Sequence, residues 1–227
     1  MKTIIALLTL ISSVSFAQQP LRPDSATPGA ASARHVGRSE QNRADKKFQV
    51  TAQIVGLGPS IISSSGLQGS MFLDPNSQIM IEATSGSGRP LLNGLFGSDY
   101  EYRASSFGVH YKRFVANSFY WRGGVDYRTS SVDYKYTSWV GNPDSTYKFS
   151  GNSVALNFQI GNQWQFDGFT LGCDWVGYSM PIASNVTSEE VNSTDEAYYR
   201  RRMKDDQDDF LKNGHFNLVR FYLGASF

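Results

Sequence analysis

From Phe48 to Phe227 the chain alternates apolar and polar residues with a period of two, the mark of strands whose two faces meet different surroundings. The clearest run is 153–166. Its even positions are Val154, Leu156, Phe158, Ile160, Asn162, Trp164 and Phe166, and its odd positions are Ser153, Ala155, Asn157, Gln159, Gly161, Gln163 and Gln165. One face is apolar and the other small or polar, a sorting no helix produces. The same test predicts strands near 48–58, 61–73, 78–86, 103–114, 119–136, 169–180 and 215–227. Phe48, Val50, Ala52 and Ile54 oppose Gln49, Thr51 and Gln53. Phe119, Trp121, Val125 and Tyr127 oppose Arg122, Gly124, Asp126 and Arg128. Phe169, Leu171, Cys173 and Trp175 oppose Thr170, Gly172 and Asp174.

The connections alternate in length. Asp74-Pro75-Asn76-Ser77, Val115-Ala116-Asn117-Ser118 and Asp167-Gly168 are tight turns of turn-forming residues. Longer links are expected near 87–102, 137–147 and 181–214, while Gly58-Pro59-Ser60 is short where a long one is expected. Most runs reach the roughly 9–11 residues that a tilted strand needs to cross a bilayer. Eight antiparallel strands, short turns on one side and longer loops on the other, predict an all-β transmembrane barrel with both termini on the short-turn side.

Charge decides which face meets lipid. The polar face carries Glu82, His110, Lys112, Arg122, Asp126, Arg128, Asp174 and Arg220; the apolar face carries almost none between strand ends, Arg113 reaching for headgroups. Phe48, Phe119, Trp121, Trp164, Phe166, Phe169 and Phe227 gather at the short-turn side, with Trp175 and Tyr127 towards the other, as two interfacial girdles. The competing arrangement, a soluble lipocalin-like barrel, would point the apolar face inward. An eight-stranded lumen is just wide enough for side chains. The charged residues are therefore expected to pair as a plug, with Gly108, Gly124, Gly161, Gly172 and Gly224 making room; a narrow pore or proton path is the alternative.

Residues 1–17 look like a cleaved export signal: Lys2, the apolar run Ile4–Ile11, and Ser15-Phe16-Ala17 as the cleavage site. Without Lys2 the count falls from 21 basic and 20 acidic residues to 20 and 20, so no global field favours nucleic acid. Residues 18–46, rich in Gln, Pro, Ser, Ala and Arg, read as a disordered, slightly basic periplasmic spacer. The barrel domain is then 47–227. The single cysteine, Cys173, allows no internal disulfide.

These alternating segments, the tight turns and the ending Arg220-Phe221-Tyr222-Leu223-Gly224-Ala225-Ser226-Phe227 resemble the small outer-membrane barrel superfamily, of the OmpA transmembrane-domain and OmpX type. The resemblance implies a location in the outer membrane of a Gram-negative bacterium, contact with its lipid and lipopolysaccharide, and a monomer. It also implies that Phe221, Leu223 and Phe227 form the signal read by the barrel assembly machinery. The comparison with OmpA is expected to stop at its barrel, without a peptidoglycan-binding domain after the last strand.

Chemistry is sparse. No metal-ligand spacing and no phosphate-binding loop is present, and neither cofactor nor metal is expected. Of three histidines, His35 is in the tail, His110 faces the lumen, and His215 opens the last strand. Parity places His215 and Ser179 both outward near the outer rim, the one constellation for a lipid A-modifying enzyme. The last loop is more distinctive. Ser193-Thr194-Asp195-Glu196 has capping-box form, Tyr199, Met203, Gln207 and Phe210 follow at helical spacing, and Asn213-Gly214 is a stop. Arg200, Arg201 and Arg202 precede Asp205, Asp206, Asp208 and Asp209, allowing a pair such as Arg201 with Asp205. The helix is expected to cap the barrel mouth and offers a contact surface for lipopolysaccharide phosphates, a divalent cation or a host protein. The sequons at Asn185 and Asn192 read as accidental. The expected role is structural or surface-binding, with a lipid A-modifying enzyme and a small-solute channel as alternatives.

Overall fold

The computed structural model describes residues 37–57, 63–88, 98–136 and 145–227. Eight antiparallel strands run in chain order around a closed barrel: β1 Phe48–Leu57, β2 Ser63–Asp74, β3 Ser77–Gly88, β4 Ser98–Phe114, β5 Phe119–Tyr136, β6 Ser145–Phe166, β7 Phe169–Asn192 and β8 His215–Ser226. β8 closes on β1, with Val50 opposite Ala225, so no edge is left in the ring itself. The three tight turns are where the alternation places them. Asp167 adopts a left-handed backbone (φ 55°) at the corner between β6 and β7, a conformation Asp tolerates. The signal segment, Gly58-Pro59-Ser60 and the cores of the links after β3 and β5 lie outside the described residues.

The faces sort as the alternation requires. Gln49, Thr51, Gln68, Gln78, Glu82, His110, Lys112, Arg122, Asp126, Gln159, Asp174 and Arg220 are buried in the lumen. Outside, Val50, Ile81, Val109, Val125, Phe158 and Phe221 are each between 44% and 54% exposed. A water-soluble barrel sorts the other way, so the inward-apolar arrangement is excluded. No helix among the described residues is long and apolar enough to cross a membrane; the strands supply the crossing.

Several bulges break the register, β7 slipping also at Ile182 and Thr187, and three of them correct the reading of parity in the lipid zone. β1 shifts register between Gln53 and Gly56, β7 against β6 at Trp175, and β8 against β1 at Val219. Val219 takes φ 35°, an unfavourable backbone for a β-branched residue that the surrounding ladder enforces. One extra residue inverts the alternation beyond it. Below the bulges Leu171, Phe221 and Leu223 face out; above them Tyr178, Met180, Phe216 and Leu218 do. Cys173 has outward parity yet is only 1% exposed. Trp175 does not join an outer girdle. It lies six residues above the start of β7, about 15 Å up a tilted strand, and its indole N–H donates to Asn162 Oδ1 at 2.8 Å. Tyr127, Tyr178 and Phe216 make the upper aromatic belt instead.

Strands β4 to β7 are longer than the apolar pattern suggests. β7 continues through Asn192, so the first part of the expected 181–214 loop is strand. Above the lipid zone the sheet turns apolar, mostly aromatic side chains inward: Tyr100, Tyr102, Val132, Tyr134, Tyr147 and Phe149 form a buried cluster with Met203 and Leu211. Among the described residues the first helix, α1, is Arg38–Ala44; Met203 and Leu211 come from the second, α2, Glu196–Gln207, and the π-helical turn Asp208–Lys212 that continues it. The N-cap is Asp195, whose carboxylate accepts from Tyr198 N at 3.2 Å. Helix pairs are Glu196 with Arg200 and Asp208 with Lys212; an Arg201–Asp205 pair does not form among the described residues.

The expected disordered tail is corrected at its end. Arg38–Ala44 is a helix, α1, at the short-turn end of the barrel.

Candidate functional site

Side chains from six strands meet halfway along the lumen. Glu82 (β3), Arg122 (β5), Asp174 (β7) and Arg220 (β8) form a ring of alternating charge. Arg122 Nη1 lies 2.7 Å from Glu82 and its Nη2 3.3 Å from Asp174; Arg220 Nη1 lies 2.8 Å from Glu82 and its Nη2 2.6 Å from Asp174. Gln159 (β6) accepts from both arginines, from Arg122 Nε at 2.8 Å and from Arg220 Nη2 at 2.9 Å. Gln68 Nε2 donates to Glu82 at 2.9 Å, and the Tyr120 hydroxyl donates to Asp174. Two acids and two bases neutralise one another, and neutral groups take up further donors and lone pairs; Arg122 Nη2 faces Asp174 as an ion pair without an aligned hydrogen bond. Burial demands this, since an unpaired ion here would cost several kcal/mol.

Towards the short turns, Lys112 is held without an acid. Its ammonium donates to Gln163 Oε1 at 3.0 Å and Tyr222 OH at 3.2 Å. It also sits over the rings of Tyr120 and Tyr222, at 4.3 and 5.0 Å from their centroids, so aromatic faces supply part of the stabilisation a carboxylate would give.

Towards the loops, His110 Nε2 is 2.9 Å from Asp126 Oδ1, close enough for an ion pair when the ring is protonated but not aligned as a hydrogen bond. Asn157 donates to the same carboxylate. Arg128 donates to Ser179 Oγ at 2.8 Å. A cavity of about 90 Å³ lies between this layer and Tyr102, lined by Glu82, Asp126, Arg128, Asn217 and Arg220 among others.

All eight charged lumen residues read from the sequence thus face the barrel interior, in three layers rather than one cluster. The sequence reading left the neutral residues Gln68, Tyr120, Gln159, Gln163 and Tyr222 out of the network, although Tyr120 and Tyr222 share the parity of Arg122 and Arg220. Ser179 and His215 are corrected. They are cross-strand partners, but Ser179 is fully buried and accepts from Arg128, and His215 Nε2 lies 3.2 Å from Phe210 O. The bulges at Trp175 and Val219 turn both away from lipid, so they do not form the lipid-facing pair a deacylase needs. Phe221 and Leu223 face outward on β8, and Phe227, just beyond its end, is exposed.

The last-loop residues divide. Arg202 stacks on Tyr134 at 4.8 Å, and the Tyr147 hydroxyl donates to Asp206. Burial is the main cause that raises the Asp206 carboxyl above its usual pKa, and the Tyr147 bond works against it. Arg200 and Asp208 are in helical ion pairs, while Arg201, Asp205 and Asp209 are exposed. A further feature is the flank of β7. Met180–Asn192 pair with β6 on one side, but the pairing with β8 ends at Ser179–His215. A long, solvated strand edge therefore stands above the lipid zone. No group of three or more metal-ligating side chains occurs among the described residues.

No protein-family model matches the chain, and no curated protein sequence does. Among solved structures it is similar to a major outer membrane protein from Thermus thermophilus, at 16% identity and a TM-score of 0.51, over 81% of this chain and 100% of that one. Weaker likeness extends to Neisserial surface protein A (13% identity, TM-score 0.44, over 79% and 97%) and to Acinetobacter baumannii CarO2 (12%, 0.45, over 81% and 100%). The first of these speaks to the fold alone: the architecture is that of the small outer-membrane barrel proteins.

Proposed function

We propose that this chain is an outer-membrane protein whose barrel is a closed anchor and whose working part is the sheet raised above the outer surface. The observation that carries this reading is the flank of β7 from Met180 to Asn192, which pairs with no strand but β6 among the described residues. A row of unpaired backbone donors and acceptors is a template for another chain, and soluble proteins commonly cover such edges. Here it stands on a buried aromatic core that holds it rigid. The neutralised charge ring supports a non-conducting lumen. Lipopolysaccharide surrounds the belt, and Phe221, Leu223 and Phe227 serve as the assembly signal.

The test is adhesion of cells displaying the protein to immobilised extracellular proteins. Ser184→Lys with Ser188→Lys blocks the edge, because lysine on an edge strand opposes pairing. The variant should lose adhesion while keeping the heat-dependent gel shift of a folded barrel. Replacing Arg200, Arg201 and Arg202 by Ala tests the loop's charge separately. Undiminished adhesion in the edge variant, or discrete conductance steps in planar bilayers, would replace this reading.

A further inference from the structure

An isolated seven-residue helix does not persist in water, and α1 has a glycine, Gly37, at its N-cap with no side-chain oxygen to offer. The barrel caps it instead. Asn117, in the β4–β5 turn, accepts through Oδ1 from the amides of Ser39 at 2.9 Å and Glu40 at 3.2 Å. A Cβ on Gly37 would lie 2.3 Å from Asn117 Cγ, so glycine is what lets the turn approach. Asn76, in the β2–β3 turn, donates to Glu40 Oε1 at 2.9 Å, and Asn42 donates to Gln165 O, beside the β6–β7 turn, at 2.8 Å. All three short turns therefore hold α1.

Arg43 goes further in and is fully buried. Its Nε donates to Pro75 O at 2.7 Å and its Nη1 to Asn117 O at 2.8 Å. The guanidinium carbon lies 3.7 Å from the centroid of the Phe114 ring. These partners are two carbonyls and an aromatic face, all uncharged. Carbonyl dipoles and a π face fit a flat cation with fixed donor directions, which arginine has and lysine lacks. Burial pushes the Arg43 pKa down to about 10, with Glu40 acting in the opposite sense, and the group stays cationic at neutral pH. The lumen layer holding Lys112 has no acid either.

We propose that the short-turn mouth of the barrel is a guanidinium-binding site that the chain fills in cis with Arg43, making α1 a docked plug. Neutral acceptors hold the cation without an ion pair, so the plug can release. Its withdrawal admits water to Lys112 from the short-turn side. The site itself does not depend on the β7 edge, so failure of the adhesion test leaves it untouched.

The experiment is hydrogen exchange on the full chain in detergent micelles, for the native protein, Arg43→Ala and Arg43→Lys. Native amides of Glu40 to Arg43 should be protected. Arg43→Ala should lose about tenfold or more of that protection with the gel shift retained, and Arg43→Lys should lie between. Millimolar ethylguanidinium should restore protection to the 115–118 turn of Arg43→Ala, leave the native protein unchanged, and outperform ethylammonium. Unchanged α1 protection in Arg43→Ala overturns the plug. Lost protection that ethylguanidinium does not restore, or that ethylammonium restores equally, overturns the guanidinium site.

Discussion

Replacing Glu82 by alanine leaves Arg122 and Arg220 to share Asp174 alone. Glu82 accepts from Arg122 Nη1 at 2.7 Å, from Arg220 Nη1 at 2.8 Å and Nη2 at 3.3 Å, and from Gln68 at 2.9 Å. Removing one partner of a buried ion pair costs about 3–5 kcal/mol, and with both guanidinium groups affected the upper part of that range is expected. Water from the adjacent 90 Å³ cavity can hydrate Arg220, which keeps the cost from rising further. Arg220→Ala alone should be similarly costly, because it strands Glu82 and Asp174 with a single arginine. The double variant is neutral again and keeps the Arg122–Asp174 pair. Its cost should fall short of the sum of the singles by about 2 kcal/mol, the coupling expected of direct neighbours. Urea titration in lipid vesicles, followed by tryptophan fluorescence and by loss of the compact gel band, measures all three. Additivity within about 0.5 kcal/mol would mean that each charge is separately hydrated and that the ring is not a unit.

Other outcomes follow from single contacts. Gly108→Ala would place a Cβ 1.8 Å from Asp126 Oδ1 and 2.8 Å from His110 Nε2, so the carboxylate must move, at about 1–3 kcal/mol. Gly69→Ala, where the nearest atom is 3.7 Å away on Ile81, should be nearly neutral in the same urea assay. Asp206 gives a pH dependence. Its folded pKa is raised by burial, so α2 docking is strongest below the unfolded value of about 3.9 and weakens as pH rises through the folded value. Asp206→Asn keeps an acceptor for Tyr147 and should flatten that dependence; a spin label at position 205, read across this interval, would refute the sign if it became less mobile with rising pH in the native background.

The alternation is legible wherever one rule holds along the strand. Within the lipid zone Val125, Val109 and Phe158 on one side, and Arg122, His110 and Gln159 on the other, give the faces and the ring of charge at once. Two physical features defeat the reading. A bulge reverses parity without changing composition: Phe216 and Leu218 are in one phase, Phe221 and Leu223 in the other, and Val219 between them takes the slip. The second feature is the change of solvent along one strand. In β4 the even positions are His110 and Lys112 inside the membrane but Tyr100 and Tyr102 above it. The inward face stays inward while its chemistry inverts, because water has replaced lipid outside. Arg43 left no signal of its own, since the polar segment around it owes its helix to Asn117, Asn76 and the carbonyl of Gln165.

That inversion locates the membrane surface on the molecule and can be tested along a single strand. Val125 and Ser131 both point outward from β5 and are six residues apart. Val125 is 45% exposed and sits six residues above the start of the strand at Phe119, about 15 Å up at the usual tilt, near the middle of a roughly 25 Å apolar band. Ser131 lies about another 15 Å higher, opposite Ser150 of β6 and Arg103 of β4, where the outward residues are polar. A lysine at Val125 must place its ammonium in hydrocarbon or bend towards the surface, at about 2–4 kcal/mol at the midplane. A lysine at Ser131 meets water and should cost almost nothing. Reversible folding into vesicles measures both, and Thr129, between them on the same face, should give an intermediate value. Equal costs at the three positions would mean that no solvent boundary crosses β5, and the inward aromatics above it would need another cause.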